Sequence, residues 1–188
     1  MKNAYKRKKE PLLNRQIILD TALEIVSKED WSQVTFQSIS DKTGLSKGGI
    51  IHHFKNKEEL LGELIKQNLS NLTAFLKDYQ EQQGITDNAR AYLEFVLKNG
   101  DDLAYKRIMR VIVQAILVKE EYRVWWEDWL KSHILIDVTE TSDMRSMFFF
   151  LVAEGIWYND SVGFSYMNSL FRQKMLEYLD GQQDVTDR

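Results

Sequence analysis

The sequence predicts an all-α protein, and three observations predict it. One proline and nine glycines in 188 residues leave long stretches free of helix breakers. Apolar residues recur at i, i+3, i+4 and i+7 along most of the chain, which is the spacing of one helix face. No stretch of useful length alternates apolar and polar residues as a half-buried strand would. With 44% hydrophobic and 28% charged residues, the chain can bury a core of its own.

Several classes drop out on composition. The absence of cysteine removes disulfide frameworks, thiolate zinc sites and cysteine nucleophiles, and suits a reducing compartment. The basic start, MKNAYKRKKEPLLN, is followed by no apolar segment of the kind a secretion signal needs. The longest apolar run, Met147 to Ala153, falls far short of the roughly 20 residues that span a bilayer. A soluble, cytoplasmic protein without membrane contact is therefore expected. No H-E-x-x-H, no G-x-S-x-G and no Gly-rich phosphate loop after a strand occurs, so an enzyme is not expected. The three histidines, His52, His53 and His133, offer no third ligand near the adjacent pair, so neither a metal site nor a cofactor is expected.

The net charge of −3 hides an asymmetry. Residues 1–60 hold 11 Lys/Arg against 8 Asp/Glu, whereas the rest hold 14 against 20. The basic part is the one suited to a polyanion.

Pro11 and the periodic Leu19, Ala22, Leu23 and Val26 predict a helix from Leu13 to about Lys28, preceded by a basic arm over residues 1–12. Thr35 is a good N-cap for a short second helix, Phe36 to Thr43, with Phe36 and Ile39 inward. Gly44 stands where a left-handed C′ residue is needed. Ser46 caps again two residues on, opening a third helix through about His53. Asn56 and Glu59 form a capping-box-like pair for a fourth, which runs to about Gln82 before Gly84. Helical spacing continues through Tyr92, Phe95 and Val96, stops at Asn99-Gly100, and resumes after Asp101 or Asp102 with Tyr105, Ile108, Met109, Ile112 and Val113. Tyr122, Trp125, Trp126 and Trp129 mark another helix. Two more are predicted over Asp143–Asp160 and Phe164–Leu179, with QQDVTDR as a frayed tail. The expected domains are thus 13–56 and 57–188.

Two short helices joined by a tight turn containing Gly make a helix-turn-helix, a unit that reads DNA. Its first helix must pack across its second, and Ser40 supplies the small residue at the crossing. Its second helix must present a small or polar leading end to the major groove, and Ser46, Lys47, Gly48 and Gly49 meet that need while Ile50 and Phe54 face the core. Each glycine costs a helix about 1 kcal/mol relative to alanine. Close approach of the backbone to DNA is one reason to tolerate the pair.

The stretch TFQSISDKTGLSKGGIIHHFKNKEEL, Thr35 to Leu60, resembles the DNA-binding domain of the TetR family of transcriptional regulators over about residues 13–65. The resemblance implies a three-helix N-terminal helix-turn-helix domain followed by a helical sensor and dimerisation domain. It also implies a homodimer on palindromic operator DNA, nucleoid-associated when bound, and most often a repressor released by a small-molecule effector. Carried over by position, Thr35, Phe36 and Gln37 meet phosphates and an edge base. Ser46, Lys47, Gly48 and Gly49 open the recognition helix, Ile51, His52 and His53 lie on its DNA face, and Lys57 matches a phosphate-binding lysine. Ile51 and His53 depart from the aromatic residues usual in the family, and Ile51 has no hydroxyl to offer a phosphate. The arm residues Lys2, Lys6, Arg7, Lys8 and Lys9 either enter a minor groove or form a solubilising tail.

In the C-terminal part, Met144, Met147, Phe148, Leu151 and Gly155 repeat at helical spacing, as do Phe164, Met167, Phe171, Met175 and Tyr178. These stripes suit either a four-helix dimer interface or the intrachain core. The aromatic series Trp125, Trp126 and Trp129, with Met109, Glu154 and Trp157, suits either an effector pocket with a carboxylate for a cationic ligand or plain core. A TetR-like protein without an effector, architectural or partner-regulated, shares every N-terminal feature.

Overall fold

The computed structural model describes residues 4–29, 31–136, 144–164 and 167–181. Among them the chain forms nine α-helices and no strand: α1 (Ala4–Lys28), a 3₁₀ turn at Trp31–Gln33, α2 (Phe36–Thr43), α3 (Lys47–His53), α4 (Lys57–Gln83), α5 (Asn88–Asn99), α6 (Leu103–Val118), α7 (Glu120–His133), α8 (Met144–Val162) and α9 (Ser169–Gly181). The chain divides into two compact units, residues 1–68 and 69–188. The division falls inside α4, later than the 56/57 boundary expected from the sequence.

In the N-terminal unit, α1, α2 and α3 pack on one another. Ile18, Ala22, Ile25, Val34, Ile39, Ile50, Phe54 and Leu60 are buried almost completely. The opening turns of α4 are tied to the same unit. Arg15 of α1 pairs with Glu63, and Lys57 donates to the Trp31 carbonyl oxygen at 2.6 Å. These long-range contacts explain why the unit extends past residue 56.

The first helix departs from expectation. It begins at Ala4 and contains Pro11, so the residues set aside as an arm belong to α1 from Ala4 onward. Pro11 lacks an N–H and crowds the preceding turn, which is why a start at Leu13 reads naturally. Ala4, Lys6, Arg7, Lys8, Lys9 and Glu10 are strong helix formers and carry the helix through it.

In the C-terminal unit, α5 packs along α8, α8 along α6, α6 against α7 and α5 against α9. Tyr92, Leu93, Val96, Leu97, Ile112, Ala153, Ile156 and Trp157 make its core. Asp87 caps α5 by accepting from the N–H groups of Ala89 and Arg90, and Asp102 caps α6 by accepting from Ala104 and Tyr105. Gly84 ends α4 in the left-handed region, φ +66°.

The last two helices are displaced from their expected bounds. Left-handed Gly163 ends α8, and the side chain of Asn168 accepts from the N–H of Phe171. Asn168 is therefore the cap that starts α9 at Ser169. Phe164 and Met167 lie before the helix rather than on it. The expected start at Asp143, Lys2 of the arm and the tail 182–188 lie outside the described residues.

Arg172 of α9 is 2% exposed. Its guanidinium pairs with buried Asp160 of α8 and donates to the Val96 carbonyl oxygen at 3.5 Å and, through Nε, to the Met167 carbonyl oxygen at 3.2 Å. Gly100 leaves it room, since a Cβ there would stand 1.8 Å from Nη1. The guanidinium is pinned on several sides and cannot swing aside without stranding Asp160. Gly100→Ala is expected to destabilise the protein by about 3 kcal/mol, the scale of a broken buried ion pair. Urea denaturation followed by circular dichroism checks this; an unchanged midpoint would show that the pair has space to move.

Candidate functional site

The turn between α2 and α3 is assembled from local contacts. Thr35 Oγ1 accepts from the Ser38 N–H and Ser38 Oγ accepts from the Thr35 N–H, both at 2.9 Å, a reciprocal capping box. Gly44 adopts φ +72°, and its N–H bonds the Ser40 carbonyl oxygen at 2.9 Å. Ser40 Oγ donates to the Leu45 carbonyl oxygen at 2.7 Å, which fastens the turn to α2. Ser46 Oγ then accepts from the Gly49 N–H at 3.1 Å and caps α3. Helix α3 has only seven residues, two of them glycine. Burying Ile50 and Phe54 contributes about 1.5–3 kcal/mol each, and the cap about 1, which outweighs roughly 2 kcal/mol lost at the glycines.

The residues read as DNA-contacting gather on this unit. Thr35, Gln37, Ser46, Lys47, Gly48, Ile51 and His52 are exposed, and Phe36, Gly49, His53 and Lys57 are half-buried. A Cβ built on Gly48 meets nothing within 4 Å, and Gly48 has no positive φ, so the fold itself does not ask for glycine there. The rings of His52 and His53 meet edge to face at 5.5 Å. Burial, then the His52 and Arg15 charges, lowers the His53 pKa from its ordinary value. Lys57 does more than the sequence suggested. Its ammonium lies 4.8 Å from the Trp31 ring centre and bonds the Trp31 carbonyl, with burial lowering its pKa. At the head of α4, Asn56 Oδ1 accepts from the Glu59 N–H, while the Glu59 carboxylate accepts from Lys55 N–H, one residue earlier than a standard capping box.

In the C-terminal unit, five of the six residues read as an effector pocket come together. Trp126 stacks on Trp157 at 5.0 Å and on Trp129 at 5.7 Å, and the Trp157 indole N–H points at Met109 Sδ, 2.8 Å away. Tyr92 donates to Glu154 at 2.9 Å. Burial raises the Glu154 pKa, and the hydrogen bonds from Tyr92 and Trp126 oppose it. Burial, with Glu154 alongside, also drives the Tyr92 hydroxyl pKa well above its ordinary value. Trp125 points elsewhere, packing on Tyr122 at 5.3 Å. Tyr92 and Thr73, which accepts from the Trp129 indole N–H at 2.8 Å, escaped the sequence reading because they stand 62 and 56 residues from their partners.

The stripes read as an interface are divided. Met144, Phe148, Leu151 and Gly155 on α8 and Phe171 on α9 are exposed, whereas Met147, Met167 and Met175 are half-buried. Met144 and Phe148 leave 69% and 65% of their surface open. Tyr158 and Val162 extend the α8 stripe at the same spacing, and Leu170 and Tyr178 add to α9; all four are exposed.

A short exposed helix, capped by Ser46 and braced by a left-handed glycine turn against a second short helix, is a helix-turn-helix. Comparison with known proteins agrees. Residues 18–64 match the family model of bacterial regulatory proteins, tetR family, and residues 87–183 that of the tetracyclin repressor-like C-terminal domain. The chain belongs to the TetR family of transcriptional regulators, a family of non-enzymatic proteins. It is similar to the HTH-type transcriptional regulator AcrR of Shigella flexneri, 35% identical over 41% of this chain and 36% of that protein. It is 25% identical to the HTH-type transcriptional repressor AcnR of Corynebacterium efficiens, over 63% of this chain and 58% of that one. The transposon Tn10 TetC protein of Escherichia coli is 26% identical over 47% of each chain. The matched stretches thus span less than two thirds of these relatives. No described helix is long and apolar enough to cross a membrane.

The raised pKa of Glu154 has a consequence for stability. The folded state holds this proton more tightly than the unfolded chain. The resulting stabilisation is full below the unfolded value near 4.5 and is lost as pH climbs through the folded one. Glu154→Gln should therefore raise the melting temperature at pH 7 and leave it nearly unchanged at pH 4. Equal shifts at both pH values would mean that burial does not raise the pKa of this carboxyl.

Proposed function

We propose that this protein is a homodimeric repressor that binds palindromic operator DNA through α3 and is released by a small-molecule effector. The observation that carries the reading is the exposed leading end of α3. Lys47, Gly48 and Gly49 follow the Ser46 cap with nothing of the N-terminal unit packed over Gly48. A backbone bare of side chains can approach base edges, and Lys47 and His52 supply donors beside it. Thr35, Gln37, His53 and Lys57 would hold phosphates, setting the register without reading sequence.

Two recognition helices must stand about 34–36 Å apart to fit successive major grooves. The exposed apolar faces of α8 and α9 support dimerisation as the means: Met144, Phe148, Leu151, Gly155 and Phe171, with Met147, Met167 and Met175 beneath. Exposed rings and methyl groups repeated along one helix face gain by leaving water, and a twofold axis lets the same patch serve both protomers. For the effector, Met109, Trp126, Trp129, Glu154 and Trp157 supply aromatic walls and one half-buried carboxyl, a combination suited to a cation, while Trp125 packs on Tyr122 apart from them. A ligand there releases DNA if it favours a state in which the two α3 helices no longer match both half-sites. Helix α4, which contributes residues to both units, is the element we assign to that coupling. A cytoplasmic, nucleoid-bound location follows from this reading.

Selection of bound fragments from random duplex DNA tests the core of it. A twofold protein should recover a palindrome; unrelated sequences with no symmetry would contradict a dimeric operator binder. On the selected site, replacing Lys47 and His52 together by Ala should weaken binding by about tenfold or more and erode sequence preference. Phe148→Glu should convert the dimer to a monomer in sedimentation and weaken operator binding in parallel, while preserving the helical spectrum. A stable dimer carrying Phe148→Glu would place the interface elsewhere.

A further inference from the structure

The C-terminal unit contains a cavity that the reading above leaves unused. It is partly open, has a volume of about 210 Å³, and is lined by Thr73, Leu76, Lys77 and Gln80 of α4, Asn88 of α5, and His133, Ile134 and Ile136 at and beyond the end of α7. That is larger than the cavity of about 150 Å³ which accepts benzene in an apolar protein core, so a single six-membered ring fits.

The polar groups of the lining are committed unevenly. Thr73 Oγ1 is satisfied, donating to the Leu69 carbonyl oxygen at 2.9 Å and accepting from the Trp129 indole. His133 Nδ1 faces the Trp129 carbonyl oxygen at 3.0 Å; an oxygen there can only accept, so Nδ1 carries the proton. Gln80 donates to Asn88 Oδ1 at 2.8 Å, which leaves the two N–H groups of the Asn88 amide to donate. Lys77 is an exposed ammonium with no carboxylate in ion-pair range among the described residues. Leu76 and Ile134 form a buried apolar floor, and Ile136 stands exposed at the mouth. Apolar walls therefore meet a lysine and an amide donor, and none of the described lining residues is acidic.

We propose that this cavity binds a small monocarboxylate carried on a single apolar ring, with the ring against Leu76, Ile134 and Ile136 and the carboxylate at Lys77 and Asn88. The ligand has the opposite charge to the one suited to Glu154, so the two sites are chemically distinct. The cavity is nonetheless joined to that cluster. His133 stacks on Trp129 at 5.2 Å, Trp129 on Trp126, and Trp126 on Trp157. An occupant touching His133 and Thr73 lies at the head of this stack, and its binding is therefore visible in indole fluorescence.

Calorimetry on the full chain with benzoate, benzamide and benzylammonium tests the proposal without DNA, so its outcome is independent of the operator reading. Benzoate should bind with a Kd of about 1 mM or tighter and ahead of the other two probes. Lys77→Met should weaken benzoate about three- to fivefold, the scale of a solvent-exposed charge contact, and leave benzamide unchanged. Ile136→Trp, at an exposed position where folding is not at stake, should block both. Benzoate should quench fluorescence in the parent, and Trp129→Phe should lose that quench while retaining the calorimetric signal. The proposal is overturned if benzoate shows no saturable heat, if benzylammonium binds better, or if Lys77→Met and Ile136→Trp leave benzoate binding intact.

Discussion

The N-terminal unit depends on one backbone constraint, the left-handed turn at Gly44. With φ at +72°, the chain turns from α2 into α3 within three residues, and Ile39 before the turn and Ile50 and Phe54 after it enter a single core. Any other side chain at that φ would be strained. The turn also brings Ser46 into position to cap α3 immediately, so a seven-residue helix too short to persist alone is held at both ends. Its outward face is then free of structural duty, which is why Lys47, Gly48 and His52 can be assigned to a partner.

The C-terminal unit is organised differently, around buried rings, a buried ion pair and a half-buried carboxyl. Asp160 and Arg172 bind α8 to α9, and Glu154 joins α8 to Tyr92 of α5. Such groups add little net stability compared with apolar replacements of similar volume, but removing one partner is costly. Together the two contacts tie α8 to both α9 and α5. The indole stack works alongside as rigid filler, with Trp157 anchored on Met109 and Trp129 on Thr73.

The two faces of α8 divide the labour. One carries Ala153, Ile156, Trp157 and Asp160 inward, and the other leaves Phe148, Leu151, Tyr158 and Val162 in water. A helix apolar all round is normally buried all round. In the isolated chain the face with Phe148, Leu151, Tyr158 and Val162 is uncovered, and the proposed dimer covers it.

What the residues alone determined follows from the range of the forces involved. Caps at Thr35 and Ser46, the glycine turn, the helical spacing of the core, and the resemblance carried by Thr35 to Leu60 all act within a few positions along the chain, so their geometry is written in neighbouring letters. Where local signals competed, the reading slipped: Pro11 suggested a start that the strong helix formers before it overrode, and Asn168 capped α9 later than the apolar stripe implied. The tertiary structure alone decided which partners meet across distance. Tyr92 reaches Glu154 over 62 residues, Trp129 reaches Thr73 over 56, and Arg172 reaches Val96 over 76. It also decided that Lys57 grips Trp31 and that a cavity opens beside Lys77. No local rule links residues so far apart, because what brings them together is the packing of whole helices.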